Sequence, residues 1–134
     1  MSEKSVGVKD FSVGQPAYML VANQQGKYLE QPIECFVTKI GRKYVTVDYR
    51  DWNLQFGKPD YSDTACYLDE RTEIGHRRRL FPSKKAAEEY REGESLRPWF
   101  REAIAYNKLN AYSMDQLRAV KRILSNPDYK EEES

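Results

Sequence analysis

The sequence predicts an α+β fold, with a small antiparallel β-barrel or curled sheet in the N-terminal half packed with about three α-helices in the C-terminal half. Three observations predict it. Glu34 to Tyr49 alternates apolar and polar residues on either side of Gly41-Arg42, apolar residues recur at helical spacing from Ala86 onward, and 134 residues is the usual size of one domain.

Residues 1–10 are polar and aperiodic, which predicts a flexible N-terminus. Gly14 to Pro16 carries turn chemistry, and the apolar run Ala17 to Ala22 after it reads as a strand, followed by a loop over Asn23 to Lys27. In ECFVTKIGRKYVTVDY, Phe36, Thr38 and Ile40 alternate with Val37 and Lys39, while Tyr44, Thr46 and Asp48 alternate with Val45 and Val47. This is the pattern of a β-hairpin, and Gly41 is expected at positive φ in its turn, where glycine meets no steric cost. Arg50 to Asp63 is too irregular for a helix. Short strands are expected near Leu54–Phe56 and Ala65–Leu68, after which Glu73 to Arg79 leads out of the barrel.

Ser83 suits the N-cap of a first helix, SKKAAEEYREGE, that Gly93 interrupts. Ser95 then restarts a second, with Leu96, Trp99, Phe100, Ala103, Ile104 and Tyr106 on a wide apolar face and Pro98 in its first turn, where a missing N–H costs little. Ser113 and Gln116 form a capping box for a third helix carrying Met114, Leu117, Val120, Ile123 and Leu124 at helical spacing. Met114, Leu117, Val120 and Ile123 are expected to face inward against Trp99 or Phe100, so Leu117→Ala would cost about 2–5 kcal/mol. The organisation that follows is one domain over residues 11–125, β-rich over 11–74 and helical over 80–125, with a charged tail over 126–134.

Composition excludes several classes of function. At 40% hydrophobic and 32% charged, the chain is too apolar to be disordered throughout, and no apolar run approaches the ~18 residues of a membrane span. The opening residues show no signal-peptide pattern, so a cytoplasmic location is expected, with Cys35 and Cys66 reduced and buried as small hydrophobes. Those two cysteines and His76 fall one short of a structural zinc set, and the aspartates lack the spacing of a calcium loop; no metal and no cofactor is expected. GxxxxGK[ST], GxGxxG and GxSxG are all absent, and nothing supplies a nucleophile to match His76, so the protein is expected not to be an enzyme.

FSVGQPAYML followed by VTKIGRKYVTVDY resembles the start of a small SH3-like barrel, in which a Val-Gly turn opens the first strand and a kinked hairpin follows. Tudor, chromo-barrel, KOW and integrase C-terminal domains share that pattern, as do small accessory proteins of phages and mobile elements. The resemblance covers residues 11–70 and implies a fold of that kind without assigning a function.

The formal charge of +1 is unevenly spread. Residues 1–74 hold 9 Lys+Arg against 11 Asp+Glu, and residues 75–134 hold 13 against 10. Within GHRRRLFPSKK, Arg77, Arg78, Arg79, Lys84 and Lys85 are candidates for phosphate contacts; a solvated connector would carry the same residues. Trp52 and Tyr61, in the irregular segment, are the aromatics best placed for exposure and stacking, while the other rings suit a core. Together these features predict a non-enzymatic binding module for a nucleic acid or a nucleic-acid-associated protein. A phage-encoded inhibitor or adaptor of a host or defence protein, of the anti-CRISPR kind, is the alternative.

Overall fold

The computed structural model describes residues 5–28, 30–72 and 78–131. Six strands run β1 (Pro16–Val21), β2 (Ile33–Ile40), β3 (Tyr44–Tyr49), β4 (Trp52–Gly57), β5 (Leu68–Glu70) and β6 (Arg78–Phe81). Each pairs antiparallel with the next, and β6 returns to β1 with Leu80 opposite Met19, so the sheet closes into a barrel. Closure pairs the backbone groups that an open sheet would leave at its edges. Arg78 and Arg79, expected in a segment leaving the barrel, instead lie in the strand that completes it, because Leu80 and Phe81 supply two fully buried apolar side chains there.

Strand alternation decides what fills the barrel. Ala17, Met19, Cys35, Val37, Val45, Val47, Leu54, Phe56, Leu68 and Leu80 form one buried cluster. The residues of opposite parity on β1 and β6, Leu20 and Phe81, form a second cluster with Tyr67 and with Ala87 and Tyr90 of α1 (Lys84–Ala103). The expected hairpin is β2 and β3, with Val37 opposite Val47 and a register shift between Val37 and Lys39. Residues 5–10 are not loose as expected. Val6 and Phe11 are buried in the barrel core and the Val6 N–H donates to the Ala65 carbonyl at 2.9 Å.

Gly41 does not take the positive φ expected of it; among the described glycines that conformation belongs to Gly14 (φ 84) and Gly26 (φ 78). Three residues, Gly41 to Lys43, separate β2 from β3, so the two-residue turn that would demand it is not formed there. The two-residue connection is Arg50-Asp51 between β3 and β4, and Arg50 takes φ 57.

Two α-helices stand where about three were expected among the described residues: α1 and α2 (Met114–Leu124), with short 3-10 turns at Val8–Asp10 and Leu109–Ala111. α1 runs unbroken for 20 residues through Gly93, Ser95 and Pro98. A glycine inside a helix costs only about 1 kcal/mol, too little to break it, and the Ser95 hydroxyl donates to the Glu92 carbonyl at 2.9 Å rather than capping a new helix. The capping box of α2 forms as expected: the Gln116 N–H donates to Ser113 Oγ at 3.1 Å and the Ser113 N–H to Gln116 Oε1 at 2.8 Å.

The chain divides into two compact units, one within Glu3–Ser95 and one within Leu96–Ser134, with the division inside α1. The first contains the barrel and the start of α1. The second contains the end of α1 and α2, where the α2 side chains expected to be buried are not: Met114, Val120 and Ile123 are exposed and Leu117 is only half-buried, although Leu117 and Val120 do line one groove with Trp99 and Phe100. Amphipathic spacing gives a helix an apolar face without supplying the surface to cover it.

This division predicts unequal costs of truncation. Phe56→Ala, which empties a fully buried site in the barrel, should lower the free energy of chemical unfolding by about 3–5 kcal/mol, whereas Leu124→Ala, at a side chain 73% exposed, should change it by less than about 0.5 kcal/mol.

Candidate functional site

The predicted basic patch is split by the fold. Arg77 lies outside the described residues. Arg78 donates from Nη1 to both carboxylate oxygens of Glu70, at 3.1 and 3.0 Å. Arg79 and Asp69 are register partners on β6 and β5, with Arg79 Nε 3.2 Å from Asp69 Oδ1, close enough for charge attraction though not aligned as a hydrogen bond. Lys84 and Lys85 open α1 and are exposed; Lys84 lies 3.9 Å from Glu88, one helical turn on.

Around Arg79 the structure assembles four tyrosines. Its guanidinium lies 4.2 Å from the centre of the Tyr67 ring, 5.6 Å from that of Tyr28 and 5.7 Å from that of Tyr90. Nη1 donates to the Tyr90 hydroxyl and Nη2 to the Tyr61 hydroxyl at 3.2 Å. The Tyr61 hydroxyl also donates to Asp69 Oδ2 at 3.1 Å and lies 2.5 Å from the Tyr67 hydroxyl, a contact in which either phenol can be the donor. Tyr90 in turn donates to Glu94 Oε1 at 2.6 Å. The Tyr61 ring is therefore exposed, as expected, while its hydroxyl is bound into this network. Burial is the largest influence on the Tyr61 and Tyr90 phenols and pushes both pKa values up, assisted by the hydrogen bonds to Tyr67 and Glu94 respectively. Burial opposes the charge on Arg79, but the surrounding phenol oxygens outweigh it and raise its pKa.

Trp52, at the start of β4 opposite Tyr49, is exposed as expected. A larger cationic cluster lies further along the same hairpin, and its residues were missing from the candidates read from the sequence. Tyr44 begins β3 opposite Gly57 at the end of β4. A side chain at Gly57 would bring its first carbon within 2.8 Å of the Tyr44 ring, so only glycine leaves room for that ring to rest against β4. On Tyr44 sits the Arg71 guanidinium, 4.6 Å from the ring centre and held by a 3.1 Å hydrogen bond from Nη1 to Gln55 Oε1. Beside the ring a cleft of about 350 Å³ is lined by Val8, Arg42, Lys43, Tyr44, Lys58 and Asp60. A second cleft, of about 210 Å³, shares Tyr44, Lys58 and Asp60 and reaches Arg71.

Arg42, Lys43, Lys58 and Arg71 are exposed, and none of them forms an ion pair among the described residues. A half-buried ring surrounded by exposed cations without carboxylate partners can place phosphates on the cations and a flat group against the ring. The sequence signal was Gly41-Arg42-Lys43-Tyr44, where two cations sit in the turn between strands. Lys58 and Arg71 join them only through the strand pairing.

Fold and site together define a small closed barrel with a cationic, aromatic-centred outer surface, followed in the chain by a helical unit. The chain belongs to the family of the phage ProQ C-terminal-like domain, whose model matches residues 1–132. No curated protein and no solved structure matches it. Among the described residues no helix is long and apolar enough to cross a membrane, and no group of three His, Cys, Asp or Glu side chains is placed to hold a metal ion.

The tyrosine network makes stability depend on alkaline pH. Tyr61 and Tyr90 have folded-state pKa values raised above the ordinary 10.0, so the stabilisation that their neutral forms provide is complete below pH 10 and is lost as pH rises through the raised values. Unfolding midpoints followed by circular dichroism should fall above pH 10, and Tyr61→Phe should reduce the steepness of that fall; an unchanged slope in the variant would remove Tyr61 as a contributor.

Proposed function

We propose that this protein is a non-enzymatic nucleic-acid-binding module of phage type, acting on RNA in the cytoplasm through the surface around Tyr44. The observation that carries this reading is the gathering of Arg42, Lys43, Lys58 and Arg71, all exposed, about one half-buried ring. Exposed cations outside any ion pair attract a polyanion and release its counterions, and a ring beside them gives an unpaired base something to stack on. Membership of the phage ProQ C-terminal-like family supports the phage-type part of this reading. The closed barrel and the Gly14 turn that opens it are what an SH3-like module would show, and they support that finer reading of the fold. In this reading Lys84 and Lys85 extend the cationic field, while Arg78 and Arg79 contribute chiefly to structure through Glu70 and Asp69.

A single titration separates the possibilities. Binding of a labelled single-stranded RNA at about 50 mM salt should follow a log–log salt dependence of about 0.7 per phosphate neutralised. Arg42→Glu with Lys43→Glu should weaken it about tenfold or more, by a margin that shrinks toward about 200 mM salt. Lys84→Glu with Lys85→Glu should have the smaller effect. Absence of binding at tens of micromolar protein, together with nuclease-resistant capture of one host protein, would replace this reading with that of a protein inhibitor.

A further inference from the structure

The unit within Leu96–Ser134 has helices but no core. None of its described residues is buried, and Trp99, Phe100, Ile104, Val120, Ile123 and Leu124 are all exposed large apolar side chains. Exposed apolar surface of this kind marks a place where something binds. Between the end of α1 and α2 lies a groove of about 550 Å³, lined on one side by Trp99, Phe100 and Ile104 and on the other by Leu117 and Val120, with Leu109 between them in sequence. The Trp99 and Phe100 rings meet edge to face at 5.0 Å.

Charge says what sort of occupant fits. No acidic side chain lines the groove, and its one charged lining residue is Lys121. Elsewhere on the unit Glu102 is tied to Lys108 and Asp115 lies near Arg118, whereas Arg101, Lys121 and Arg122 form no ion pair among the described residues. The charge left over on the two helices is positive. A second copy of the chain would bring the same cations against themselves, and a polyanionic RNA has no use for an apolar trough.

We propose that this groove is the docking site of an acidic amphipathic helix from a protein partner, distinct from the RNA-contacting surface of the barrel. Apolar anchors of the partner, spaced i, i+3 or i+4 and i+7, would enter between Trp99, Phe100, Leu117 and Val120, and its carboxylates would meet Lys121, Arg101 and Arg122. The binding mode is that of a helix laid in a groove, with the anchor residues giving affinity and the carboxylates giving direction and selectivity.

The test uses the full chain and a pair of labelled peptides of about 20 residues, long enough to complete an amphipathic helix. Both carry Leu at the anchor positions; one carries Glu elsewhere and its twin carries Lys. The expected result by fluorescence anisotropy is that the Glu peptide binds about tenfold or more tightly than the Lys twin, and loses affinity as salt rises. Val120→Asp should weaken it about tenfold or more. Trp99→Ala, at a side chain 63% exposed, should do the same while leaving the circular dichroism of the barrel unchanged. RNA titrations should be indifferent to both variants, and peptide titrations indifferent to Arg42→Glu with Lys43→Glu, so that each surface stands or falls alone. Equal affinities for the two peptides, no binding of either at hundreds of micromolar, or a dimer in sedimentation that Val120→Asp dissolves would overturn the proposal.

Discussion

Arg79 occupies the place where β5, β6 and the first turns of α1 come together, and a guanidinium is tolerable there only because Asp69 lies across the ladder and four tyrosines surround it. A half-buried cation without such company would carry a desolvation cost of several kcal/mol. With it, the charge becomes an organising centre: it recruits the hydroxyls of Tyr61 and Tyr90 and the face of Tyr67, and through Tyr90 it ties the start of α1 to the strand that closes the barrel. Tyr28, which approaches from the loop after β1, is held in addition by the 3.1 Å bond that Arg91 donates to its carbonyl. Strand closure, helix docking and loop position thus share one electrostatic anchor.

The cationic surface around Tyr44 rests on a different economy of space. Gly57 has no side chain, which lets the Tyr44 ring lie against β4, and the ring in turn supports Arg71 from below. Its cations reach the same place from three directions: the β2–β3 turn, the end of β4 and the residue after β5. A barrel is suited to this, because antiparallel strands bring distant residues to one rim while each backbone remains fixed by its neighbours.

Much of the barrel was legible in the chain. The hairpin of β2 and β3 follows from strict alternation through Val37, Val45 and Val47, and the cap at Ser113 from its pairing with Gln116. What escaped was set by partners distant in sequence. β6 reads as a basic connector because Arg78 and Arg79 dominate its four residues, and nothing local announces that Glu70 and Asp69 will neutralise them. Gly93 and Ser95 look like a break between helices, but the weak local preference for a break yields to the continuity of α1. The exposed face of α2 has the same periodicity as a buried one, so spacing alone could not distinguish a helix that completes a core from one that presents its apolar side outward. For the site, Arg42, Lys43 and Tyr44 were visible as a turn, while Lys58 and Arg71 belong to it only once β4 and β5 are in register.

The two tryptophans fall one to each unit, Trp52 on the barrel and Trp99 in the helical unit, and both indoles are more than 60% exposed in the folded chain. Intrinsic emission will already be that of water-contacting indole before any denaturant is added, so loss of the fold will change it little. The same exposure makes each indole a local optical reporter: quencher access to Trp52 senses the barrel, and quencher access to Trp99 senses the groove, within one unlabelled molecule.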